Sequence, residues 1–563
     1  MSKTKLSLFI FLLSVIVYLP FVNSPLFWDD EQFIYNNQFV RQFAVKKIFT
    51  TNTVAGAGEV SNYYRPLTTL SLVWDYQFWQ TNPIGYHLTN LILHGFAGVV
   101  LFWLLCLLQI PLKASLLIST LFVIHPLQTE AVAYANSRGD SLYSLFGLLN
   151  LLLVVLVFNK KSKKLIVGGI ELELNRWLLA AGEVLFYLAA ILSKEIGLAL
   201  LGLIWLVILH QLIKEHGLSI SNWIKKLFAQ PITLFILFTP VLVALIYLWL
   251  RSGPLKFAEQ LNPYQPGYIY GESVLVRLNT FAKVLFIYAR LLFVPYPLYM
   301  ERTTQIVTST FSGWAMGVVG IATALFFLGK REYQTQKSIY IWFGGLWFIF
   351  MLVPVSGIVP INDILYEHWL YLPMIGFWLM IYGIWKLLMI SRSYQNLTKI
   401  LPKSYKLLLG TWMATLILLS WRQNYLWSNP IRFYLYTLSH QPTARVHNNL
   451  AMAYADINQL ELAIEHYQKA LEFGIEYPQI YNNLGNTWLN LEEYQQAKEA
   501  YQKAIALNPS LIQSQLGLIQ TYLQTQEFEL AYKLADNLQQ IGVDQVIVER
   551  LKEEIEVVEK QKE

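Results

Sequence analysis

Apolar runs and short polar breaks alternate from the first residues to about Trp421, and beyond Arg422 the pattern becomes amphipathic. The apolar runs fall near 5–22, 86–110, 112–125, 141–158, 176–192, 195–213, 231–251, 311–329, 338–358, 369–390 and 405–421. Most approach the roughly 20 residues that a helix needs to cross hydrocarbon, so eleven spans are expected. One further apolar stretch, 277–298, carries Arg277, Lys283 and Arg290 at spacings of six and seven. That spacing places the charges roughly on one helix face, and predicts an amphipathic helix lying in the interface rather than a crossing.

The polar end of the chain repeats itself every 34 residues. Asn448 aligns with Asn482, Leu450 with Leu484 and Leu518, Ala463 with Ala497 and Ala531, Tyr467 with Tyr501, and Ala470 with Ala504; Pro509 closes the second unit. Small residues where paired helices touch and aromatics between them are the tetratricopeptide pattern. A third unit follows in which Ala535 and Leu538 replace the expected aromatic and alanine, and the charged end LKEEIEVVEKQKE reads as a solvating cap. The expected fold is all-α: a polytopic helical membrane domain over 1–425, a linker at 426–443, a tetratricopeptide solenoid over 444–545 and a charged helix or tail at 546–563. Asn449 and Asn483 share one position in successive units. They resemble the asparagine ladder that grips peptide backbone in the O-linked N-acetylglucosamine transferases, although asparagine is also common at that position.

Composition agrees with a membrane protein. Of 563 residues 55% are hydrophobic and 14% charged, against about 25% charged in soluble proteins. The net charge of +6 supports no nucleic-acid partner; what matters is where the cations sit. The lone Cys106 excludes an intrachain disulfide, and the lack of cysteine pairs favours a bacterial inner membrane. The first apolar run has a basic start, Lys3 and Lys5, and no small-residue cleavage site, so it is expected to be retained as a span. Basic clusters at Lys3 and Lys5, Lys160, Lys161, Lys163 and Lys164, Lys214, Lys225 and Lys226, Lys330 and Arg331, and Lys399, Lys403 and Lys406 all fall inside under eleven crossings. The N-terminus is then cytoplasmic. The loops holding Asp29–Asp30, 126–140, Lys194–Glu195, 252–310 and 359–368 then lie outside, with the repeats.

Those outer loops hold the candidate chemistry. In SPLFWDDEQFIYNN two adjacent carboxylates, Asp29 and Asp30, follow the first span. They are either solvated loop acids or, pressed to the surface by Trp28 and Phe33, a pair in which repulsion and desolvation raise one pKa toward a general base. Glu130, Arg138 and Asp140 lie between two spans, and Arg138 offers a fork suited to phosphate. Lys194 and Glu195 occupy a turn so tight that their charges must be paired or functional. Arg65 either snorkels or binds phosphate; Asp363, Glu367 and His368 form a last cluster. His87, His94 and Asn90 read as packed polar contacts. No metal-ligand spacing is present, so no cofactor is expected and a divalent metal has no support; a nucleotide-binding loop is also missing.

WDD after the first span, then YRPLTTLSLVWDYQFW, NPIGYHLTNLILHG, HPLQTEAVAYANSRGD, LSKEIG and YEHWLYLP, with tetratricopeptide repeats behind them, resemble the transmembrane and tetratricopeptide repeat-containing O-mannosyltransferases. These are C-type membrane glycosyltransferases related to the protein O-mannosyltransferases. The resemblance implies a sugar donor linked to polyprenyl phosphate, such as mannose, and a hydroxyl acceptor on an exported protein held by the repeats. It implies a catalytic carboxylate at Asp29 or Asp30. It further implies a cavity bordered by Glu130, Asp140, Glu195 and Glu367, with Arg65, Arg138, Lys194 and His368 toward the donor phosphate. The family pattern has Glu-Arg before LYLP, whereas Glu367-His368 stands here, which exchanges a permanent cation for a titrating one. The alternatives are a non-enzymatic membrane-anchored scaffold, a transporter, or transfer to a glycan or lipid.

Overall fold

The structure, a computed structural model, describes the chain except for residues 1, 60, 159–163, 168–169, 174, 220, 222, 224–226, 228–229, 254, 256–263, 265–266, 310–311, 337, 362, 390–403, 475–476, 541–542 and 563. Two compact units result, Met1–Ser428 and Asn429–Glu563. Lys160, Lys161, Lys163, Lys225, Lys226, Lys399 and Lys403, on which much of the expected sidedness rests, lie outside the described residues.

The first unit is a polytopic helical bundle. Among the described residues seven helices are long and apolar enough to cross a membrane: Lys3–Phe21, Pro83–Leu107, Arg138–Phe158, Arg176–Ser193, Glu195–Glu215, Pro231–Ser252 and Gly313–Gln336. An eighth arises if the pair Leu112–Ile124 and Pro126–Ala133, bent by 52°, is one span. This is fewer than the eleven expected. Pro126 cannot continue the helix before it, which leaves Leu112–Ile124 with 13 residues, or about 20 Å. The expected spans at 338–358 and 369–390 are the shorter apolar helices Tyr340–Val355 and Pro373–Met389. The last falls within Ser404–Trp427, which is diluted by polar residues at its C-terminal end. Local signals set several starts: Asn82 and Asn175 cap their helices through side-chain oxygens, with Pro83 in the first turn of one of them.

The stretch 277–298 forms the helix Val274–Phe293, which carries three charges and is not among the seven. Its charges do not share one face. Arg277 is buried, with Nε donating to Gly357 O at 2.5 Å and a terminal nitrogen to Tyr270 O and Gly271 O. Lys283 and Arg290 reach Gln305 O and Tyr296 O near the surface. Six residues of helix amount to a turn of about 240° beyond a full revolution, which swings Arg277 away from the other two. A small antiparallel hairpin, Lys164–Val167 against Ile170–Glu173, adds two strands that the all-α expectation lacked. One acid was also overlooked. Glu183 sits in the middle of Arg176–Ser193, fully buried, and accepts from Asn150 Nδ2 at 2.9 Å. An ionisable side chain therefore lies inside a span here, not at its end.

The helices Tyr340–Leu352 and Pro373–Met389 flank the loop that bears Glu367 and His368. They meet backbone to backbone: a Cβ at Gly344 would fall 2.4 Å from Gly376 O, and one at Gly376 would fall 2.5 Å from Gly344 O. Small residues at a crossing let membrane helices approach in this way.

In the second unit the pairs Ala444–Asp456 with Leu460–Glu472, Pro478–Asn490 with Tyr494–Leu507, and Ile512–Gln524 with Phe528–Gln540 are closed by the helix Gln545–Lys562. The turn inside each pair contains a left-handed residue, Asn458, Glu492 and Gln526, again 34 residues apart. The third unit is thus a structural repeat. Its Ala535 and Leu538 are buried, and Val548 and Ile555 of the closing helix are buried in the same cluster. The expected linker contains a helix, Pro430–Leu438, with Asn429 as its cap.

His447 and His466 face each other in the first repeat, Nδ1 to Nδ1 at 2.9 Å, and both rings neighbour Tyr454 or Phe473. Burial, with the charges of His466 and Lys469, holds His447 down to about 4. The unfolded chain then binds a proton that the folded chain refuses between about pH 6.5 and 4, so stability is present above 6.5 and falls as pH drops. Thermal melts of the full chain followed by circular dichroism should show the repeat transition falling between pH 7 and 5, and His466→Phe should flatten that fall.

Candidate active site

The polar segments that the sequence scatters along the chain are joined in the first unit by named bonds. After the first span Trp28 adopts φ 64°, a left-handed conformation rare for a bulky residue, and the chain then enters a π-helical turn over Glu31–Tyr35. Asp29 and Asp30 sit between these two features and are not equivalent. Asp30 is 1% exposed; its Oδ1 accepts from Asn136 N at 2.8 Å and its Oδ2 from Phe27 N at 3.3 Å. Burial pushes its carboxyl well above the usual range against the pull of these amides, and the charge of Asp29 pushes it further. Asp29 is half-buried. Its N–H donates to the Tyr134 hydroxyl at 3.1 Å and its carbonyl accepts from Gln32 and Phe33, so its backbone is fixed on both sides.

Lys194 and Glu195 do not neutralise each other. Lys194 Nζ donates to both oxygens of Asp140 at 2.7 Å, with both residues buried. Glu195 accepts from Arg65 Nε at 3.0 Å and from Tyr64 N at 3.0 Å. The Arg65 guanidinium also covers the Tyr63 ring, 4.4 Å from its centroid, and keeps some exposure. Glu130 Oε1 lies 2.6 Å from His368 Nδ1, and Glu130 Oε2 accepts from His368 N at 3.2 Å. His368 stacks on Tyr366. Glu367 turns the other way, to Arg302 Nε at 3.0 Å and Tyr299 N at 3.1 Å.

Arg138 departs from expectation. It is fully buried, donates to Asn90 Oδ1 and Tyr86 O at 2.8 Å and to Ser71 O at 3.3 Å, and pairs with Asp75. A guanidinium so enclosed holds helices together, and Lys194 likewise gives its hydrogen bonds to Asp140. The histidines of the spans are packed contacts as expected: His87 lies 3.0 Å from Ser24 O and His94 2.6 Å from the Tyr371 hydroxyl. Asp75, Arg302, Tyr134 and Asn136 were not foreseen. Among the described residues no group of three or more His, Cys, Asp or Glu is placed to hold a metal. In the second unit Asn449 and Asn483 are half-buried and accept from the neighbouring amides of Asn448 and Asn482; the third position of the ladder is Gly517.

The tetratricopeptide repeat family model matches residues 444–473 and 478–511. A Caenorhabditis elegans protein is 25% identical over 486 residues, covering 83% of this chain and 62% of that protein. A human protein, TMTC3, is 24% identical over 432 residues, covering 72% and 44%. Both are named protein O-mannosyl-transferases. The resemblance read from the motifs is borne out by these relatives, while the chain spans less than two thirds of their length. Among solved structures, an oligosaccharyltransferase of Archaeoglobus fulgidus superposes with a TM-score of 0.39 at 12% identity, over 80% of this chain and 59% of that one, too slight a likeness to carry an argument.

Lys194→Met should destabilise the protein by about 3–5 kcal/mol, because it strands Asp140 in the interior. Adding Asp140→Asn should recover a large part of that loss. Thermal unfolding of the three proteins in one detergent measures both effects.

Proposed function

We propose that this chain is an integral-membrane glycosyltransferase that moves a sugar, mannose or a similar hexose, from polyprenyl phosphate to a hydroxyl of an exported protein. The observation that carries the reading is the acidic pair at the end of the first span, fastened by Phe27, Tyr134 and Asn136. The protein O-mannosyl-transferase names of its relatives point the same way.

Asp29 is the base in this reading, since both oxygens of Asp30 are already bonded to backbone amides. Asp29 takes the acceptor's proton as the acceptor oxygen bonds to the anomeric carbon. The bond from that carbon to the phosphate oxygen breaks, and the electron pair leaves with the phosphate. Arg65, half-buried with its Nε on Glu195, and His368, held at Nδ1 by Glu130, are the cations assigned to that departing charge. Glu195 and Glu130 hold these two cations in place, while Asp140 and Glu367 pair with Lys194 and Arg302 beside them. The N-terminus is assigned to the cytoplasm, and the acidic loops and the repeats to the outer side of a bacterial inner membrane. The repeats, with Asn449 and Asn483, are assigned to the acceptor polypeptide.

Purified protein should transfer radiolabel from polyprenyl-phosphate mannose, or another polyprenyl-phosphate sugar, to proteins of a cell-envelope extract. Asp29→Asn should lower the rate at least 100-fold, within the range general acid–base catalysis supplies. Asp30→Asn should lower it less. Equal transfer by Asp29→Asn would remove the base assignment, and no transfer from any donor by folded wild type would favour a scaffold.

A further inference from the structure

Of the three residues that fasten the acidic pair, two lie against one indole. Phe27 N–H donates to the Asp30 carboxyl, and the Tyr134 hydroxyl accepts the Asp29 N–H. The rings of Phe27 and Tyr134 each lie 5.6 Å, centroid to centroid, from the ring of Trp427. Trp427 is 2% exposed and ends the helix Ser404–Trp427, one residue before the first unit ends at Ser428. That helix is itself anchored. Asn424 Nδ2 donates to Val17 O at 2.9 Å, Ser420 Oγ to Ile124 O at 2.6 Å and Gln423 Nε2 to Leu298 O at 3.3 Å. The loop it supports contains Trp28 in a left-handed conformation, which persists only where the surroundings over-determine it. Aromatic pairs at this separation attract each other beyond the area they bury.

We infer that Trp427 is a positioning residue: through Phe27 and Tyr134 it holds the Asp29–Asp30 loop in its reactive arrangement. The inference rests on the proposed transferase reading for its kinetic consequence, and on geometry alone for its structural one. Trp427 is buried against Phe27 and Tyr134, so in this inference its loss acts on the orientation of Asp29 and not on donor affinity. Because the chain passes from Trp427 through Ser428 into the second unit, the residue that steadies the acidic loop is also the last of the membrane helix leading to the repeats.

The test uses full-length protein in detergent, with Trp427→Ala, Trp427→Phe and the milder Tyr134→Phe, which deletes only the hydroxyl facing Asp29 N. Two readouts are taken: kcat and KM with polyprenyl-phosphate mannose, and amide hydrogen exchange across 26–36 and 132–137 by mass spectrometry. Trp427→Ala should lower kcat about 100-fold with the donor KM within about two-fold, as misplacement of a reacting group by ~1 Å does. Trp427→Phe should restore most of kcat. Tyr134→Phe should lower kcat about ten-fold and expose the Asp29 amide, even if Trp427→Ala does not fold. Exchange in both segments should quicken in Trp427→Ala while that of the spans stays unchanged. Unaltered kcat and exchange in all three variants would overturn the inference and leave the transferase reading intact. Quickened exchange in a protein whose wild type transfers no sugar would sustain the positioning role and remove the transferase reading.

Discussion

A carboxylate buried beside a membrane must have its charge and its lone pairs satisfied by the protein, and this chain meets that demand in one recurring way. Four of the loop acids take a backbone amide as well as a side-chain partner, or a second amide in place of one, while Asp140 gives both oxygens to Lys194. Glu195 takes Arg65 and the amide of Tyr64; Glu367 takes Arg302 and the amide of Tyr299. Glu130 takes both the ring and the amide of His368; Asp30 takes the amides of Phe27 and Asn136. The acids thereby perform the work that helix and strand ladders do elsewhere, satisfying the N–H groups of irregular backbone. Irregular loops can lie at the helix ends because these carboxylates close them.

The same pattern separates the two members of the acidic pair. A residue whose two oxygens are consumed by amides fixes a loop, and its removal frees two buried donors. Asp29 is fixed through its backbone, by Tyr134 on one side and by Gln32 and Phe33 on the other, while its side chain stays half-exposed. In the proposed reading, a structural acid stands next to one that does the chemistry, which would account for two like charges side by side. The first shapes the turn, and the second inherits a defined direction from it.

Much of this was legible in sequence. The 34-residue period located the repeats, and even the weak third unit, because tetratricopeptide packing imposes small residues at fixed positions. Loop motifs picked out polar residues that the structure pairs with one another, since charges are rare enough in an apolar chain to stand out. Partnership was not legible. Lys194 and Glu195 are neighbours in sequence, yet they part to Asp140 and Arg65; Glu367 finds Arg302, 65 positions away. No local rule distinguishes a guanidinium aimed at solvent from one enclosed like Arg138, two of whose four acceptors are backbone carbonyls that any residue could supply. Helix length was not legible for a related reason: hydropathy does not reveal where the chain bends by 52° at Pro126, or where an apolar helix among the described residues is short.

The departure at Glu367-His368 gains a physical meaning from these partnerships. In the family pattern an arginine follows the glutamate, and a cation adjacent in sequence could be taken for that glutamate's partner. Here Glu367 already has its guanidinium in Arg302, so position 368 is released from that duty. His368 instead faces Glu130, Nδ1 to Oε1 at 2.6 Å. Nδ1 is committed to the carboxylate, and that commitment orients the ring and sets which nitrogen remains for other work. Replacing His368 by arginine would restore a permanent charge. It would also place five donors where Glu130 meets one ring nitrogen and one amide, so at this site the two residues are not interchangeable.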